Sequence, residues 1–340
     1  EAGSLFLQPT AARRRSGSHY TPRTLAEPIV EEVFRPWLEH HNYAPLAMDI
    51  LKLKVCDPAM GSGAFLVAAC RFLATLLVSA WKKNGFPSEF DESYDKDNYA
   101  RRLIAQNCLY GVDKNPFAVK LAKLSLWLIT LSKELPFTFV DHALKCGNSL
   151  VGYSREDIVL SNNELQLVGL DNQQNQVIDK LRVERQQKFS LDSRDDITYD
   201  NKKQFLKEQN QASETSRREG DLMVAAFFEE KKAKERTEKK KYYLGLNSSS
   251  STDQANDQSV RQIRARLQAG EKGIKPFHWH LEYPEVFTES RKGFDVFIGN
   301  PPFAGKNTIA EGNPNEILDW FKQLHPESHG NSDLVAHFFR

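Results

Sequence analysis

The chain has 340 residues, with 46 Lys and Arg against 45 Asp and Glu, a net charge of +1 and 40% apolar residues. That suffices for a buried core in one large or two ordinary domains, and it excludes any charge argument for or against nucleic acid. Cys56, Cys70, Cys108 and Cys146 are widely spaced with no CxxC pair, which argues against a zinc knuckle or disulfide framework and fits a reducing cytoplasm.

The near-neutral total hides a partition. Residues 1–150 hold 18 basic and 15 acidic side chains, residues 151–275 hold 23 and 21, and residues 276–340 hold 5 and 9. The middle block is charged and rich in Gln, Asn and Ser, so it predicts solvated helices with loose connections. Residue 1 is Glu, and the chain stops at Arg340 inside an apolar-rich run, as expected of part of a longer polypeptide.

In chain order, residues 1–18, with Arg13, Arg14 and Arg15, read as a polar arm. Thr21 to His41 predicts a helix, with Thr21 as N-cap, Pro22 at the first helical position and Leu25, Ile29 and Val33 as its stripe. Ile50 to Cys56 alternates apolar residues and predicts a strand. It leads into Asp57-Pro-Ala-Met-Gly-Ser-Gly-Ala-Phe65 and an apolar helix over Ala64–Trp81. That helix nears the length of a membrane span, but Arg71 near its centre favours burial against a sheet. No secretory signal opens the sequence.

A polar loop precedes a short helix around Tyr99–Gln106. Cys108 to Asp113 predicts a second strand, Pro116 opens another helix, and Pro136 to Val140 predicts a third strand with Asp141 at its end. Strands alternating with helices imply an α/β, Rossmann-like, mostly parallel sheet covered on both faces. After the middle block, with its apolar island Leu222–Phe228, pattern resumes at Phe277 and at the strand Phe294–Asn300.

Gly61 and Gly63 after a strand allow a tight turn and close approach by a ligand, with helix amides beyond. No Gly-Lys-Ser/Thr follows, so this is not a P-loop, and position 66 is Leu, so it is not a full dinucleotide fingerprint. Asp113 at a strand tip suits a vicinal diol, since a carboxylate accepts two hydrogen bonds. Asn300-Pro-Pro-Phe303 sits at a predicted strand end, where the prolines stop the ladder and leave carbonyls free. The Asn oxygen beside such a carbonyl makes two acceptors for an NH2 group on a planar ring, with Phe303 suited to the ring's face.

Together these motifs resemble the gamma-class N6-adenine DNA methyltransferases, in the branch found in single-chain type II restriction–modification enzymes and related phage-defence methyltransferases. The likeness covers about 1–150 and 276–340. It implies a methyltransferase core at 19–152 and 276–340, interrupted by a charged helical insertion at 153–275. Tyr20-Thr21-Pro22 after His19 resembles the motif lining the methionine end of S-adenosylmethionine. Asp57, Pro58, Ala59, Gly61, Gly63 and Phe65 match the cofactor loop, and Asp113 the ribose-binding turn.

Asn148, in Gly147-Asn-Ser-Leu-Val-Gly152, matches the segment touching the cofactor adenine. An acid is common there, which leaves Asp141 as a second candidate. Asn300, Pro301, Pro302 and Phe303 match the catalytic tetrapeptide. The implied reaction is methyl transfer to N6 of a flipped adenine in DNA, without a metal, the DNA being gripped by a recognition domain outside this sequence. RNA adenine, a protein glutamine, or cofactor binding without turnover are the alternatives.

Two weaker patterns are noted. His278 and His280 fall on one side of a predicted strand but lack a third metal ligand. Asp221, Glu229 and Lys231 mimic a nuclease pattern within a helical stretch, which favours coincidence.

Overall fold

The computed structural model describes residues 21–158 except 89, 134 and 155, residues 180–189 except 181 and 186, and residues 195–339 except 250–252, 289–290 and 330. The polar arm, Arg13–Arg15, His19 and Tyr20 lie outside the described residues.

Among the described residues, four short strands form one parallel sheet in the order β3-β2-β1-β4: β1 (Val55–Asp57), β2 (Leu109–Asp113), β3 (Leu144–Cys146) and β4 (Val296–Phe297). The register aligns Asp57 with Gly111, Asp113 with Cys146 and Cys56 with Phe297. The order reverses direction between β1 and β4, and such a switch point opens a crevice at the carboxyl ends of the strands.

One face of the sheet is covered by α1 (Arg23–His40), α2 (Ala47–Lys52), α3 (Ala64–Asn84), α4 (Lys96–Asn107) and α5 (Pro116–Ile129). Local chemistry sets several starts. Asp95 caps α4 by accepting from Asn98 N–H, and Asn115 caps α5 by accepting from Phe117 N–H with Pro116 at the first helical position. α3 is long and apolar enough for a bilayer by length and composition, but most of it is buried in this core. The other face carries an aromatic layer in which Cys56, Tyr110 and Val112 meet Phe277, Tyr283 and Val286.

Four sequence expectations are corrected. Residues 47–52 are helix, and β1 starts only at Val55. The third strand is Leu144–Cys146, not Pro136–Val140, so Asp141 precedes the strand instead of ending it. α1 starts at Arg23 with Pro22 in the cap position and no side-chain cap bond. Its buried stripe is Ala26, Val30 and Phe34, while Leu25 and Ile29 are exposed. The neighbouring α3 selects which of two adjacent stripes is covered, and Phe34 stacks on Phe72 there.

The middle block contributes α6 (Asp196–Ala212), α7 (Glu214–Glu229), α8 (Ala233–Ser249) and α9 (Gln254–Gln268). Its apolar island is not solvated. Leu222, Ala225 and Ala226 pack with Tyr243, Val260 and Ile263 of the neighbouring helices. Val224 and Phe227 pack with Val151, Ile274, Ile309 and Trp320. The chain closes with α10 (Trp279–Glu282), α11 (Lys306–Gly312), α12 (Ile317–Leu324) and α13 (Leu334–Phe338).

Candidate functional site

The carboxyl ends of the parallel strands carry Asp57, Asp113, the segment after Cys146 and the segment after Phe297, so motifs scattered along the chain meet at one edge. Gly61 and Gly63 have φ of +54° and +83°, values that favour glycine. Gly63 caps α3, and a Cβ there would stand 3.2 Å from the Ala122 Cα of α5. Met60 N–H donates to Val112 O at 3.0 Å and Gly61 N–H to Asp113 Oδ2 at 2.9 Å. Asn115 N–H donates to Asp113 Oδ1 at 2.7 Å. The expected diol acceptor therefore also fastens the glycine loop, each oxygen keeping one lone-pair direction for a ligand.

Asp57 is 1% exposed. Burial pushes its carboxyl up to about 8, against the Ala59 N–H that favours the charged form, and the Asp113 charge adds to the rise. Burial also raises Asp113, opposed by the Asn115 and Gly61 amides. Burial thus favours the neutral acid at Asp57, and a cation brought to this edge would favour its ionised form.

Asn148 follows β3, its N–H bonded to Lys275 O at 2.8 Å and its Oδ1 accepting from Leu150 N–H at 3.2 Å. Asp141 lies at the opposite sheet edge in an ion pair with Lys123. Asn300 is exposed at the site edge and stands 3.5 Å from Thr21 Oγ1, which joins the first and last motifs. Pro301 is buried and Phe303 is 66% exposed. Phe65, by contrast, is buried in the core.

Two residues outside the expected site set brace the site. Ser149 Oγ donates to Pro58 O at 2.7 Å, clamping the Asp57 loop to the Asn148 segment. Asp333 Oδ1 accepts from Ala304 N–H at 3.0 Å, and Leu334 N–H donates to Ala304 O at 2.9 Å, fixing the chain just after Phe303. The signals available in the sequence are the run Asp333-Leu-Val and the place of Ser149 inside Gly147–Gly152.

His278 and His280 are not on a strand. His278 precedes α10, is 1% exposed, accepts from Tyr153 N–H at 3.0 Å and meets Asp221 at 3.3 Å. No group of three or more His, Cys, Asp or Glu suited to a metal occurs among the described residues. Asp221 is also held by Arg264 and Glu229 by Arg266, so both nuclease-like acids serve helix packing.

The Eco57I restriction-modification methylase family matches residues 107–340, and the MmeI DNA-methyltransferase domain matches residues 37–167. The putative type II restriction enzyme and methyltransferase RM.MjaORFECS2P of Methanocaldococcus jannaschii is 28% identical over 74% of this chain and 22% of its own length. The type II restriction enzyme and methyltransferase RM.Eco57I of Escherichia coli is 28% identical over 44% of this chain and 16% of its own. The adenine-specific methyltransferase PglX of Streptomyces coelicolor is 30% identical over 36% of this chain and 8% of its own. The chain thus spans 22% or less of the length of these relatives.

Proposed function

The chain belongs to the Eco57I restriction-modification methylase family, and on that premise we infer that it is the core of an adenine-specific DNA methyltransferase using S-adenosylmethionine. One observation carries the reading: Asp57, Asp113, Asn148 and Asn300 meet at one edge of the sheet, beside the β1–β4 switch point.

The edge fits a cationic nucleoside. Asp113 offers a carboxylate, Asp57 an acid that a nearby cation would ionise, and the glycine turn presents bare backbone. In this reading Asp113 holds the ribose hydroxyls, Asn148 the cofactor adenine, and Thr21, Pro22 and the Asp57–Ala59 turn the methionine end. Bound S-adenosylmethionine supplies an electrophilic methyl group. Tyr20, outside the described residues, joins this set on the motif alone.

The target base is unreachable inside a duplex, so it must be flipped out at a cost of a few kcal/mol. The exposed Phe303 ring offers a stacking face that returns about 1–3 kcal/mol. Asn300 Oδ1 and the Pro301 carbonyl accept the two N6 hydrogens. That draws the nitrogen lone pair out of the ring and toward the methyl group. Pro301, Pro302 and the Asp333 brace hold these acceptors, so positioning supplies the acceleration without a metal or a covalent enzyme intermediate.

The test is Asn300→Ala in the intact protein, assayed for methylation of DNA, RNA and a glutamine peptide. DNA methylation should be lost while calorimetric affinity for S-adenosylmethionine is kept. Normal DNA methylation by the variant would overturn the role of Asn300, and transfer to RNA or peptide alone would overturn the substrate.

A further inference from the structure

The α3 helix starts at the glycine turn and runs about 30 Å, at 1.5 Å per residue, to the opposite edge of the sheet. There a cleft of about 1280 Å³ opens, at or above the size of small-molecule sites. Core and middle block build it together. Leu46–Lys54, the end of α3, α4 and His142 form one side, and Arg182, Arg185 and Phe189 form the other. It shares no lining residue with the edge that carries Asp57, Asp113 and Asn300.

The cleft has buried polar groups left over. Arg185 is 3% exposed. Its Nη1 donates to Glu282 O at 3.1 Å and meets Glu285 at 3.2 Å. Its Nε and Nη2 have no hydrogen-bond partner among the described residues. Those two atoms form the side-on fork of the guanidinium, which matches a phosphate or carboxylate with two parallel bonds. Among the described residues, five cations line the cleft, Lys52, Lys54, Arg182, Arg185 and Arg291, against two carboxylates, Asp195 and Glu285.

His142 adds a second unused group. It is 1% exposed, and its Nε2 lies 3.1 Å from Gln106 O, an acceptor, so Nε2 carries the proton. Burial, helped by the charges of Arg185, Lys202 and Lys54, keeps the ring neutral. Its Nδ1 is then a bare acceptor without a partner among the described residues. His142 stacks on Phe189 at 4.5 Å between centroids, and Arg185 lies 5.8 Å from the same ring. An anion fork and an N–H acceptor thus flank one aromatic face. Native proteins rarely strand such groups without a ligand or water. Leu46 and Met48 add an exposed apolar ledge at the rim.

We propose that this cleft is a second ligand site, separate from the methyl-transfer edge, for a small nucleoside phosphate. The phosphate takes the Arg185 fork, and an amino group of the base donates to His142 Nδ1. A fatty acid could use the fork but offers no donor to a buried imidazole nitrogen, so the nucleotide is favoured.

The test is calorimetry of the full chain with AMP, CMP and inorganic phosphate. At least one nucleotide binds, phosphate alone binds more weakly, and Arg185→Met weakens the nucleotide about tenfold or more. Excess S-adenosylmethionine, which competes for the cofactor edge, leaves that binding in place. Absence of nucleotide binding at millimolar concentration overturns the proposal. So does binding displaced by S-adenosylmethionine and intact in Arg185→Met, which locates the nucleotide at the cofactor edge. Photolabelling of the unaltered chain with 8-azido-AMP needs no variant. Labels should map to residues 46–54, 81–107 or 182–189, and labels confined to 57–65, 113 or 148 overturn the site.

Discussion

Gly299 and Asp57 touch across the β1–β4 crevice: a methyl group at Gly299 would stand 2.5 Å from Asp57 Oδ1 and 3.0 Å from its Cγ. The residue before Asn300 therefore has no room for a side chain, because the buried acid of the glycine-loop motif, Asp57, occupies that space. Gly299→Ala should cost about 1–3 kcal/mol through overpacking. It should also displace Asn300, so urea unfolding and DNA methylation are both measured. Unchanged stability would show that the contact relaxes freely.

Asp57 makes stability depend on pH. Its folded value of about 8 lies above the ordinary 3.8, so between those values the native state holds a proton that the unfolded chain releases. The contribution is fully present below about pH 4 and is lost as pH rises through about 8. Urea midpoints of Asp57→Asn should fall less between pH 6 and pH 8.5 than those of the unaltered protein. Parallel curves would remove Asp57 as the source.

S-adenosylmethionine binding should release a proton if a cation settles beside Asp57, since the cation favours the carboxylate. The calorimetric heat at pH 7 should then vary with the ionisation enthalpy of the buffer, and Asp57→Asn should abolish the variation.

Ser149→Ala removes the clamp between the Asp57 loop and the Asn148 segment. Loss of one such bond costs about 0.5–1.5 kcal/mol. The predicted signature is a raised KM for S-adenosylmethionine with kcat nearly kept, because Ser149 positions loops and touches no reacting atom. A fall in kcat alone would contradict this role.

Glu282 joins the sheet to the helices of the middle block. Burial alone would raise its carboxyl, but Lys145 and Arg217 hold it well below the usual range. Glu282→Gln leaves two largely buried cations facing each other and should cost about 3–5 kcal/mol, read from thermal unfolding. The unaltered pair loses its stabilisation as pH falls below the ordinary carboxylate value, because only the native state resists protonation there.

Much of the site was legible because its signals are local. Glycines that need positive φ, Asn115-Pro116 starting a helix, and Asn300-Pro-Pro stopping a strand are each decided by a few neighbouring atoms. The reading went astray where local signals were ambiguous. Ile50–Leu53 alternates like a strand yet completes a helix, and Pro136–Val140 is β-branched and aromatic yet lies outside the sheet. Phe65 falls in the run expected to hold a cofactor, but its side chain serves the core.

The sequence by itself determined the order of the motifs, the turn geometry at Gly61 and Gly63, and the chemistry available at Asp57, Asp113 and Asn300. Only the tertiary structure decided which stripe of α1 is buried, that Leu222–Phe227 is core, and that Ser149 and Asp333 brace the site. It also placed Arg185 and His142 on one cleft. The reason is physical: burial depends on the partner surface, and a hydrogen bond between distant residues leaves no periodicity in the chain.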